Sequence, residues 1–278
     1  MNRKMTPDER TAYSRFFPNL DVNSAIVTGE ANSDYNCIAW TLGFTTRKEW
    51  PGFYIEDFDN FYGLRGYVRA SEGPIAALGR DETKMTHACV SGPDHGPNWE
   101  SKLGGRGIRI QHRLDELEGG VYGKVIAFYN KRVRFAESTE VYEVARVTED
   151  RDVGIGRSHR DVIRRFVEQI DNETRSEFEE KYSLWQNACQ TSHILVMSNP
   201  YAVKETETFW DLVEMGERII PLVVEKMTED WNGDVLPLYE ELQPDKDLHF
   251  TDQASRFEGE QIRAKRTVAR WVEVSQRG

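Results

Sequence analysis

The chain has 278 residues, 38% of them hydrophobic and 11% aromatic, and a formal net charge of -11. That length buries a substantial core in one large or two modest domains, and the composition excludes a disordered chain. The acidic balance, with Arg and Lys scattered among Asp and Glu, argues against nucleic acid as a partner.

The N-terminal residues, MNRKMTPDER, hold no apolar run of the kind that opens a signal peptide. No stretch approaches the roughly 20 apolar residues of a membrane helix, so no membrane partner is expected. Three cysteines, Cys37, Cys89 and Cys189, form no disulfide framework and fit a reducing, cytoplasmic setting.

In chain order, Asp34 to Gly43 reads as a short helix. Asp34 or Asn36 is its cap, Cys37 lies in its first turn, and Gly43 stands just past its end. An aromatic-rich stretch follows, with Trp50, Phe53, Tyr54, Phe58, Phe61 and Tyr62. Two strands, Pro74 to Leu78 and Lys84 to Val90, flank a turn at Gly79 to Glu82. A period of two marks Ile108 to His112, and in part Gly123 to Tyr129 and Val141 to Ala145. Consecutive strands with short connections predict an antiparallel sheet, hence an α+β half over residues 1–150.

The polar run Thr148 to Ser158 marks a boundary, and residues 151–278 read as an all-α half. Asp161 to Ile170, Glu177 to Met197 and Glu258 to Val274 carry helical periodicity. Phe209 to Met227 reads as a helix pair broken at Gly216 and Pro221. Glu258 and Glu260 are a solvated or capping pair before they are catalytic carboxylates.

A nucleophilic thiol must ionise, and a helix N-terminus with a neighbouring imidazolium is the simplest means. Cys37 has the first, and the free N–H groups of that turn, with Tyr35, are candidate oxyanion donors. His87 shares a strand face with Met85 and Cys89, and a polar group in such a strand needs a partner. His112, taken to lie on the next strand, is the candidate that orients His87, with Asn98, Glu100 and Gln111 as rivals. The bland alternative is a buried structural cysteine and a satisfied core histidine. A zinc site of Cys37, His87, Cys89, His95 and His112 is a further alternative, although its His-x-Cys spacing matches no familiar finger. His159, His193 and His249 read as surface or structural residues.

The runs Phe16-Phe-Pro-Asn-Leu20, Tyr35-Asn-Cys-Ile-Ala-Trp40, His87-Ala88, Trp99-Glu-Ser-Lys-Leu-Gly104, Ile110-Gln-His112 and Tyr122-Gly123 follow one another in order. Over about residues 13 to 132 they resemble an uncharacterised family that shares YNCIAWALG, HAA and W-[TS]-SKLG motifs. The element order is also similar to NlpC/P60 papain-like cysteine peptidases, which implies catalytic roles for Cys37, His87 and His112. Asn36 stands where that group usually has Asp, and Ser91 to Gly107 is a long connection. In the second half, Phe209 to Gly216, Ile220 to Lys226, Leu238 to Pro244 and Phe257 to Gln261 resemble a helical module at the ends of fungal proteins of unknown function. A fungal source and a docking or dimerising surface are what that resemblance implies.

The expectation is a papain-like (NlpC/P60-like) domain followed by a helical module. It would form a thioester on an amide-type substrate, a peptide or an amide-containing small molecule, as a hydrolase or acyltransferase without metal or cofactor. Tyr35, Asn36, Trp99 and Glu100 are the oxyanion or substrate-positioning candidates. The alternative is a non-catalytic interaction protein whose helical half binds a partner or a second copy.

Overall fold

The computed structural model describes residues 2–92, 98–132, 154–229, 233–252, 255 and 257–277. The chain divides into two compact units. Met1–Glu149 with Leu195–Asn199 form the first, and Asp150–Ile194 with Pro200–Gly278 form the second. In this division Leu195–Asn199, which the expected helical half contained, joins the first unit.

The first unit contains an eight-stranded antiparallel sheet. Its strands are β1 (Arg3–Lys4), β2 (Ile26–Gly29), β3 (Tyr67–Ala70), β4 (Ile75–Asp81), β5 (Lys84–Ser91), β6 (Asn98–Lys102), β7 (Arg109–Arg113) and β8 (Lys124–Lys131), in the order β1-β2-β7-β6-β5-β4-β8-β3. β4 and β5 turn through Glu82 and Thr83, a tighter connection than the one expected at Gly79 to Glu82, because Asp81 pairs with Lys84. The Asp81 carboxylate accepts from the Thr83 and Lys84 N–H groups and closes the turn.

The expected sequence of strands lacked β6. Asn98–Lys102 forms a strand between β5 and β7, so His87 and His112 lie on strands separated by a third. The strand expected at Val141 to Ala145 lies outside the described residues.

Among the described residues of this unit three α-helices accompany the sheet, with a 3-10 turn at Leu114–Leu117. α1 (Pro7–Ser14) begins with a reciprocal Thr6–Glu9 capping box. α2 (Cys37–Thr41) is five residues long, shorter than the expected span, and is capped by Asn36, whose Oδ1 accepts from Ala39 N–H. Gly43 follows with φ +79°, where a side chain is disfavoured. α3 (Ile55–Gly63) buries Ile55, Phe58, Phe61 and Tyr62 at helical spacing, each contributing about 1.5–3 kcal/mol of apolar burial. The Tyr62 hydroxyl meets Thr41 Oγ1 at 2.9 Å and ties α3 to α2.

The second unit is helical: α4 (Arg157–Glu168), α5 (Asn172–Thr191), α6 (Glu207–Val213), α7 (Ile220–Thr228), α8 (Leu236–Leu242) and α9 (Glu260–Ser275). α5 is one helix that stops at Thr191, short of the Met197 expected. The break near Gly216 is real, with φ +74°, and Pro221 sits in the first turn of α7, where no N–H is needed. Glu258 and Glu260 are both buried and so are not the solvated pair expected: Glu258 forms an ion pair with Arg266, and Glu260 stands at the first position of α9. Among the described residues no helix is long and apolar enough to cross a membrane.

Candidate active site

The pleat places Met85, His87 and Cys89 of β5 on one face, with Trp99 and Ser101 of β6 and Ile110 and His112 of β7 beside them. His87 is fully buried and its Nε2 lies 3.0 Å from Ser101 Oγ. Ser101 Oγ in turn lies 2.8 Å from His112 Nε2. His112 Nδ1 is 2.7 Å from the carbonyl oxygen of Arg113.

That terminal carbonyl sets the direction of the chain, because it can only accept. His112 donates from Nδ1–H, so its neutral ring has a bare Nε2 that accepts from the Ser101 hydroxyl. Ser101 Oγ then accepts from His87 Nε2–H, and the lone pair of His87 falls on Nδ1. That nitrogen has no hydrogen-bond partner among the described residues. Burial lowers the His87 pKa well below its ordinary value, with His112 adding to the effect, and pushes His112 down to about 4. Both rings are neutral near pH 7. The direct His87–His112 contact expected from the sequence is replaced by this hydroxyl bridge.

Cys37 is also fully buried. The Ser198 side chain, the backbone at Ala88 and Ile38 and the charge of Lys102 all act on its thiol, although Ser198 Oγ makes no hydrogen bond among the described residues. These favour the thiolate, yet desolvation outweighs them and pushes the thiol pKa up to about 11. The expected thiolate–imidazolium pair is therefore overturned: sulfur and imidazole are both neutral. Among the described residues no hydrogen bond joins Cys37 to His87.

The ladder between β5 and β6 pairs only Val90 with Glu100 and Ser91 with Trp99. Ala88 lies beyond that short ladder, and its backbone acts on the Cys37 thiol of α2.

Asn36 does more than cap. Its Oδ1 also accepts from Glu49 N–H at 3.1 Å, and its Nδ2 donates to the carbonyls of Glu49 at 2.8 Å and Ser198 at 3.4 Å. Tyr35 is buried, and its hydroxyl accepts from Arg109 at 3.4 Å. Glu100 is engaged by Arg109 at 2.8 Å and by the Thr28 hydroxyl, so it does not orient His87. Trp99 is half-buried and packs on Phe128. Neither Trp99 nor Glu100 hydrogen-bonds Cys37 among the described residues. Asn98 is exposed at the start of β6, and Gln111 makes no side-chain hydrogen bond among the described residues.

Three residues went unassigned in the sequence reading. Ser101 is the bridge, and Lys102 is a fully buried ammonium bonded to the carbonyls of Asn32 at 2.8 Å and Gly107 at 2.6 Å. Both belong to the run Trp99-Glu-Ser-Lys-Leu-Gly104, which was the available signal. The third, Ser198, sits 161 residues after Cys37 and left none.

His95 of the zinc alternative lies outside the described residues. Among those described, no group of three or more His, Cys, Asp or Glu side chains is arranged to hold a metal. No curated protein and no solved structure matches the chain. Residues 26–130, the stretch that carries Cys37, His87, Ser101 and His112, match a domain of unknown function, DUF7689.

Proposed function

We propose that the first unit is a cysteine-nucleophile acyl-transfer enzyme held in a covered state, with Cys37 as nucleophile and His87 as general base. The Nδ1 of fully buried His87, which has no hydrogen-bond partner among the described residues, carries this reading. A buried lone pair without a donor costs stability, and such a cost is commonly kept where a proton must be taken up. The Ser101–His112 chain holds Nε2–H in place and so keeps that lone pair available.

In the proposed step Cys37 Sγ forms a bond to the carbonyl carbon of an amide while its proton passes to His87 Nδ1. The amine leaves with that proton, and water, or an acceptor amine in a transferase, resolves the thioester. Ala88 N–H and Ile38 N–H are the donors that would meet the developing oxyanion, and the Lys102 ammonium supplies positive potential. The order of Cys-bearing α2, His87 on β5 and His112 on β7 supports a papain-like, NlpC/P60-like relationship, with β6 as an inserted strand. Three free cysteines support a reducing, cytoplasmic location.

Acyl-enzyme trapping tests the proposal. An activated peptide ester is expected to leave a Cys37 adduct that mass spectrometry detects, absent in Cys37→Ala. The rate should fall about 100-fold or more in His87→Ala. An adduct rate that His87→Ala leaves unchanged would remove the base from the mechanism.

A second reading has its own observation. The full burial of Cys37 and its raised pKa favour a structural thiol in a non-catalytic interaction protein, with the helical unit as the partner surface. It predicts no adduct under any condition that keeps the chain folded.

A further inference from the structure

Leu195–Asn199 interrupts the sequence of the helical unit yet folds with the sheet unit. Val196 is fully buried in the core around Phe17, Leu103, Ile110 and Tyr122. Its carbonyl accepts from the Tyr122 hydroxyl at 2.6 Å. The next carbonyl, of Met197, accepts from Gly105 N–H at 3.1 Å. The next, of Ser198, accepts from Asn36 Nδ2 at 3.4 Å, beside Cys37, and the Ser198 side chain acts on the Cys37 thiol. Three consecutive backbone carbonyls thus each meet a donor that the sheet unit supplies.

The fit is close on the other side as well. Gly104 has φ +69°, and a Cβ there would stand 2.5 Å from the carbonyl oxygen of Leu195. A side chain at this position would push against backbone, which cannot rotate away. Tyr122 also stacks on His87, with ring centres 3.8 Å apart and planes 3° from parallel. One residue therefore touches both the base and the segment.

Donors aimed at successive main-chain carbonyls recognise a polypeptide irrespective of its side chains. We infer that Leu195–Asn199 occupies the groove in which a peptide substrate lies, and that this segment is the strap that covers Cys37. The substrate class is then a polypeptide rather than a small amide. The word substrate rests on the acyl-transfer reading, whereas occupancy of the groove does not.

The test uses the full chain and iodoacetamide near neutral pH, with labelling of each cysteine followed by mass spectrometry. Tyr122→Phe removes the hydrogen bond to Val196 and keeps the ring against His87. It is expected to raise Cys37 alkylation about fivefold, the worth of one net hydrogen bond, with Cys89 unchanged. Gly104→Ala is the second variant and should act in the same direction. A synthetic peptide of residues 193–201, added in excess, should slow Cys37 labelling in both variants, whereas N-methylacetamide, a small amide, at the same concentration should not.

The strap is overturned if neither variant speeds Cys37, or if Cys37 and Cys89 speed up together, which reports global opening. Equal protection by the small amide, or none by the peptide, overturns the polypeptide assignment. Acyl-enzyme forming equally fast in wild type and both variants keeps the acyl-transfer reading and sinks the strap. Selective opening and peptide protection without any acyl-enzyme do the reverse.

Discussion

Ser101 Oγ stands 2.8 Å from His112 Nε2, on the strand between the two histidine strands, and so fixes which nitrogen of each ring carries a proton. Ser101→Ala leaves two buried ring nitrogens without a partner. The expected cost is about 2 kcal/mol in urea unfolding. Nitrogen NMR of wild type should show His87 protonated at Nε2 and bare at Nδ1. The opposite tautomer would contradict the chain of donors.

The depressed His112 pKa makes stability depend on pH. The unfolded ring takes up a proton near its ordinary value of 6.5, while the folded ring refuses it until about 4. The unfolded state therefore binds more protons inside that window, so stability is fully present above it and is lost as pH falls through it. The loss for His112 is about 3 kcal/mol, with His87 acting in the same direction. Urea midpoints between pH 4 and 7 should flatten in His112→Gln. Parallel profiles for wild type and variant would contradict the assignment.

Cys37 has the converse linkage. Its folded pKa is raised from 9.0 to about 11, so the folded state keeps a proton that the unfolded state releases. Stability is fully present below 9 and declines as pH rises from 9 to about 11. Thiolate ultraviolet absorbance of the native protein, taken as the difference from Cys37→Ala, should titrate near 11. A midpoint near or below 8 would show an activated thiol in the resting state.

Asn36→Asp tests why an amide and not a carboxylate precedes the cysteine. Asp would still cap α2, but it would lose the donor to the Glu49 and Ser198 carbonyls and set a buried anion against them. Destabilisation of about 2 kcal/mol is expected in urea unfolding, together with faster Cys37 alkylation. A neutral result in both would mean that the donor role of Asn36 is dispensable.

Much of this arrangement was legible in residue order. β4 and β5 are marked by strand-forming runs around a turn, β7 and β8 by a period of two, and Asn36 with Gly43 brackets α2 by ordinary capping chemistry. β6 was hidden because Asn98-Trp-Glu-Ser-Lys102 is polar on both faces: Glu100 pairs with Arg109, and Ser101 bonds two imidazoles. No hydropathy alternation survives such partners. The protonation of Cys37 was misjudged for a related reason. A short helix start signals a lowered pKa, but desolvation depends on what covers the sulfur, and Ser198 comes from a segment far along the chain.

The strand order has a consequence for solubility at high concentration. Both borders of the sheet, among the described residues, are short: two residues at β1 and four at β3, carrying Arg3, Lys4 and Arg69. A neighbouring molecule finds little unpaired backbone there, and charged side chains along it. Fibrillar growth by strand addition is discouraged at either border.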